Sequence, residues 1–110
     1  MQKEIQRVLN VLTTLQKINP EFPIQYAICL THIALKEGLS LTELAEKTGM
    51  ALSTVSRITA ALSKRHTKKA CYELIKLEIA PDEKRRKRIF LTKKGKQTIA
   101  NLCATTHANI

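Results

Sequence analysis

The side chains of this 110-residue chain that can do chemistry are cations and hydroxyls, and they fall in groups. Lys84, Arg85, Arg86, Lys87 and Arg88 form an unbroken run of five positive charges. Earlier in the chain, Ser53, Thr54, Ser56 and Arg57 crowd one short stretch, and Lys64, Arg65, Lys68 and Lys69 follow it. Hydroxyls and guanidinium groups donate to phosphates and base edges, and Arg matches guanine in a bidentate way. A basic run gains free energy by releasing counterions from a polyanion. The formal net charge is +10, and it is unevenly placed: residues 1–63 hold six Lys/Arg against five Asp/Glu, whereas residues 64–110 hold thirteen against four. Charge alone fits a solvated surface and a nucleic-acid contact equally well.

Other chemistries find little support. There is no nucleophile–base pair and no pair of carboxylates at a catalytic spacing. The three glycines, Gly38, Gly49 and Gly95, form no phosphate-cradling loop. An enzyme is therefore not expected, nor a cofactor. Cys29, Cys71 and Cys103 are odd in number and contain no CxxC, which fits a reducing compartment, and Cys29 reads as a core residue. His32, His66 and His107 have no metal-ligand spacing. The longest apolar run, Tyr26–Leu30, is too short for a leader or a membrane span, so the expected location is cytoplasmic, with no membrane partner. Scarce aromatics argue against stacking on single strands.

The elements that must position these groups are mostly helical. Apolar residues at Ile5, Val8, Leu9, Leu12, Leu15 and Ile18 predict an amphipathic helix that stops near Asn19-Pro20. The segment Ile24 to Lys36 is apolar on more than one face and predicts a buried central helix, with Pro23 in its first turn and Gly38 as its C-terminal cap. Ser40-Leu41-Thr42-Glu43 reads as a capping box that opens a short helix ended by Gly49. Another helix, from about Leu52 to Ser63, has its apolar face at Val55, Ile58 and Leu62, which turns Thr54 and Arg57 away, with Ser56 partly inward. Two short helices about a glycine-containing turn make a helix-turn-helix over 40–63. Leu74, Ile75, Leu77 and Ile79 then predict a strand paired with Ile89-Phe90-Leu91. A basic-tipped hairpin directly after a helix-turn-helix, here 73–92, is a wing. A last helix runs from Lys93 to about Ala108. The fold class expected is mainly α with a small β-hairpin: one winged helix-turn-helix domain over 1–110, with terminal helices at 1–18 and 93–110.

From about Pro23 to Leu102 the chain resembles the MarR family of winged-helix regulators. The likeness is carried by Leu39-Ser40-Leu41-Thr42-Glu43-Leu44-Ala45-Glu46-Lys47-Thr48-Gly49-Met50 with Ser53-Thr54-Val55-Ser56-Arg57. Pro81-Asp82-Glu83-Lys84-Arg85-Arg86-Lys87 and Leu91-Thr92-Lys93-Lys94-Gly95 complete it. The family pattern departs at Ala51, where a capping Ser is common, leaving Ser53 to cap a turn later. It departs again at Ala80, where an acid often braces the wing, leaving Asp82 and Arg85 as a substitute pair. The segment 64–73 is longer than usual, making this a short variant with an extended stretch before the wing, and the short terminal helices leave little room for a large effector pocket.

The resemblance implies a DNA-binding transcription regulator, a repressor more often than an activator. Ser53, Thr54, Ser56 and Arg57 would enter the major groove. Lys84, Arg85, Arg86, Lys87 and Arg88 would track the adjacent minor groove, and Lys64, Arg65, Lys68 and Lys69 would meet phosphates. One helix-turn-helix is a small footprint for specific binding. The stripes Ile5, Val8, Leu12, Leu15 and Ile99, Leu102 find no obvious partner beside the 24–35 helix, so they are expected to bury one another across a two-fold axis in a homodimer. That would set the recognition helices roughly 34 Å apart on a near-palindromic operator. The terminal helices folding back on their own domain is the structural alternative. The functional alternative is an assembly or replication-initiation module that holds DNA without promoter control.

Overall fold

The computed structural model describes residues 1–63, 72–81 and 86–106. Its core is built on α2 (Ile24–Leu35), which buries Ala27, Cys29, Leu30 and Ile33 along one side. The opposite side is not covered: Ile24 is 60% exposed, Ile28 38% and Leu35 83%. Apolar residues nearly all round predict burial all round, whereas among the described residues one flank alone is buried. Pro23 stands just outside the helix as its N-cap, and Lys36 is the C-cap. Gly38 therefore does not cap α2. With φ +90° it turns the chain two residues later, against the Phe90 ring, where an L side chain would be strained.

Around α2 the helix-turn-helix is assembled from α3 (Leu41–Thr48) and α4 (Leu52–Leu62). The capping box is complete: the Glu43 amide donates to the Ser40 hydroxyl at 3.1 Å, and the Ser40 amide donates to the Glu43 carboxylate at 3.2 Å. Gly49 ends α3 in the left-handed region, as such a turn favours. Leu44, Val55, Ile58 and Leu62 interlock with Cys29, Leu30 and Ile33 in one cluster. Ser53 does not cap α4. The Val55 amide already donates to the Ala51 carbonyl, which makes Ala51 the N-cap, without a side-chain hydrogen bond, and leaves Ser53 inside the helix.

The wing is a three-stranded antiparallel sheet rather than a lone hairpin. β1 (Leu39–Ser40), β2 (Ile75–Ile79) and β3 (Lys87–Leu91) lie in the order β1-β3-β2. Leu39 pairs with Ile89 and Ser40 with Arg88, while β2 and β3 pair from Ile75↔Leu91 to Ile79↔Lys87. Two residues carry no alternation, so β1 has no periodic signal in the sequence. Leu74, expected inside the strand, sits just before it, fully buried. Its amide donates to the Leu62 carbonyl at 2.8 Å, satisfying the end of α4, and its carbonyl accepts from the Thr92 amide at 3.0 Å.

Thr92 opens α5 (Lys93–Thr106), with its hydroxyl accepting from the Gly95 amide at 3.0 Å. The other terminal helix, α1 (Gln2–Ile18), ends before Pro20 with Asn19 extended. Leu15 of α1, Ala27 of α2 and Leu102 of α5 form a second, smaller core with Ile18, Phe22 and Ile99 packed on it. The inner half of both terminal stripes is thus folded onto its own chain, as the alternative had it. Ile5, Val8, Leu9 and Leu12 remain exposed.

Candidate nucleic-acid interface

The face of α4 opposite its buried stripe carries the sequence-selected residues. Ser53, Ser56 and Arg57 are exposed, and Thr54 is half-buried. Ser56, read from the sequence as partly inward, is outward, and Thr59 takes the inward place instead, fully buried with its hydroxyl donating to the Ser56 carbonyl at 3.0 Å. A cleft of about 300 Å³ separates the start of α4 from the wing, walled by Thr42, Leu52 and Ser56 on one side and by Arg86 and Lys87 on the other. Hydroxyls and cations from three elements thereby face one concave strip, a chemistry suited to phosphates flanking a groove.

Arg88 belongs by sequence to the wing cations, and the fold gives it partners of its own on the helix-turn-helix. It lies in β3 between β1 and β2, half-buried, so its side chain reaches back to the helix-turn-helix. Its guanidinium donates to the Gly38 carbonyl at 3.1 Å and lies 3.6 Å from the Glu43 carboxylate. Glu43 also accepts from Lys36 at 3.1 Å. The Lys36 ammonium, together with the Ser40 amide, holds the Glu43 carboxyl below the ordinary carboxylate range. Among the described residues, this group braces the wing against α3, the role that the sequence reading gave to Asp82 and Arg85. Its one signal in the sequence is the acid in the capping box. Glu37 adds to the brace by accepting from the Leu91 amide at 2.9 Å. Lys64, Arg65, Lys68, Lys69, Asp82, Lys84 and Arg85 lie outside the described residues.

A second surface is apolar. Leu12 of α1, Ile24 and Ile28 of α2 and Cys103 of α5 rim a groove of about 340 Å³ floored by Leu15 and Leu102. Of the residues expected to be shared between two chains, Ile5, Val8 and Leu12 are open here, whereas Leu15 and Leu102 are buried and Ile99 half-buried. A cleft of about 510 Å³ lies where α1 ends and α5 begins, lined in part by Lys17, Asn19, Tyr72 and Lys94. No helix among the described residues is long and apolar enough to cross a membrane.

The model of the IclR helix-turn-helix domain matches residues 30–65, a third of the chain. No curated protein matches the sequence. Several solved structures match the fold. RV1404 from Mycobacterium tuberculosis superposes with a TM-score of 0.75 at 19% identity, over 91% of this chain and 64% of that one. MarR of Staphylococcus aureus, in complex with salicylate and kanamycin, does so with 0.65 at 24%, over 86% and 57%. The transcriptional repressor CouR, bound to a 23-mer DNA duplex, does so with 0.66 at 20%, over 93% and 66%. The chain therefore spans about two thirds or less of the length of these structures. Among the described residues, five helices around a small antiparallel sheet, with a helix-turn-helix at their centre, give the chain the winged-helix fold of MarR-like regulators.

Proposed function

We propose that this chain is a homodimeric transcription regulator that binds double-stranded DNA sequence-specifically and acts in the cytoplasm as a repressor on a near-palindromic operator. The observation that carries the reading is the strip between α4 and the wing, where Ser56, Arg86, Lys87 and Thr42 line one cleft beside exposed Ser53 and Arg57. The net charge of +10 adds a long-range attraction to a polyanion. The similar fold of CouR, a repressor solved on a duplex, supports the same partner and the same sign of regulation. The open apolar groove and the exposed Val8 and Leu12 support self-association, because a lone helix-turn-helix has little surface for specificity.

Selection of bound duplexes from a random library tests the reading. The expected product is one enriched site whose halves are about one helical turn apart, roughly 34 Å. A promoter carrying that site is then expected to lose transcription when the protein is added. Recovery of duplexes with no common sequence would refute the specific-binding reading. An enriched site with no effect on transcription would favour an assembly role instead.

A further inference from the structure

Leu52 is the first residue of α4 and is 51% exposed. By spacing it extends the buried stripe of Val55, Thr59 and Leu62, yet the core ends short of it, and it is absent from the cluster that holds Val55 and Leu62. It stands on the wall of the cleft that Thr42, Ser56, Arg86 and Lys87 otherwise line with hydroxyls and cations. A recognition helix meets base edges with its N-terminal residues. The apolar substituent that the major groove offers is the C5-methyl of thymine, set among hydrogen-bond donors and acceptors. An isobutyl side chain neither donates nor accepts, so the polar edges give it nothing to distinguish. We propose that Leu52 is a specificity-determining residue that packs on a thymine C5-methyl in each half-site. The inference rests on the duplex-binding reading above and adds to it one base preference and the side chain that sets it.

The test uses the full chain and the duplex enriched from a random library. Each thymine is replaced in turn by deoxyuridine, which removes the methyl group alone. For the wild type, one thymine per half-site is expected at which this weakens binding about threefold to fivefold, the effect of one buried methyl. In Leu52→Ala that position is expected to become indifferent to the replacement, with every other position unchanged. Melting should stay close to wild type because half of the side chain is already in solvent. The wild-type scan needs no variant, and Leu52→Gln serves if Leu52→Ala folds poorly. Wild-type binding that ignores deoxyuridine at every position would overturn the proposal. So would a Leu52→Ala variant that keeps the wild-type sensitivity, since another side chain would then read the methyl. Failure of the underlying reading looks different: no duplex is enriched at all, and both ideas fall together.

Discussion

Arg57 and Lys87 carry the same charge but are expected to act differently. Arg57 stands on the exposed face of α4, with Val55 and Ile58 beside it turned into the core, so its side chain can be removed without opening a cavity. Arg57→Ala is expected to weaken binding to the selected duplex by about 1–3 kcal/mol and to relax specificity at one base pair, with melting unchanged. Lys87→Ala, at the wing, should instead weaken every duplex alike. Titration of both variants against the selected and a scrambled site separates these effects, and unaltered affinity in Arg57→Ala would remove α4 from the groove. The outward direction of Arg57 is legible in the sequence because helical spacing alone sets it. The role of Arg88 is not, because its partners Gly38 and Glu43 are brought to it by β1, a strand too short to leave a pattern.

At the scale of elements, α4 is linked to the start of α5 by the stretch 72–74: the Tyr72 amide donates to the Ala61 carbonyl at 3.4 Å, and the Glu73 carbonyl accepts from the Thr92 hydroxyl at 2.6 Å. Leu74 accepts and donates between the end of one helix and the start of the other, and Gly95 lies against it. A Cβ at Gly95 would fall onto the Leu74 carbonyl oxygen and lie 2.9 Å from its carbon. Helix propensity by itself favours Ala over Gly by about 1 kcal/mol. The steric term is the larger, since the obstacle is backbone held by two hydrogen bonds, and overpacking costs about 1–3 kcal/mol. Gly95→Ala is therefore expected to be destabilising, with a melting temperature lower by roughly 4–8 °C for each kcal/mol. An unchanged melting temperature would mean that α5 does not start against Leu74. The structure has Gly95 inside the first turn of α5, where closeness to another segment is what requires it.

For the molecule as a whole, the terminal helices are divided between an inner part buried within the chain and an outer apolar face left open. Leu15 and Leu102 are spent on the second core, so a charge at Leu102 would unfold the chain as readily as it would split a dimer. Val8 and Leu12, both about half exposed, have no such internal duty. Val8→Glu with Leu12→Glu is expected to turn a dimeric wild type into a folded monomer by light scattering, with unchanged circular dichroism and loss of operator affinity. A wild type that is already monomeric at micromolar concentration would overturn the dimer. A double variant that stays dimeric would place the interface on another surface.

The order of the helices, the capping box, the outward direction of Arg57 and the pairing of β2 with β3 are all legible in the amino-acid sequence. Each depends on a local period or a local hydrogen bond, and those are written in neighbouring residues. Which apolar faces find partners is settled by tertiary packing instead. The two terminal stripes read alike along their length, yet Leu15 and Leu102 meet Ala27 while Val8 and Leu12 do not. Leu52 likewise reads as stripe and lies beyond the core's edge. The cations were sorted in the same way: Arg88 was drawn into a brace and Lys87 left at the cleft by their alternate places on one strand. Periodicity states that a face is apolar, and strand alternation that two neighbours diverge. Where the core stops, and which side of a sheet meets a helix, depends on segments far apart in the chain.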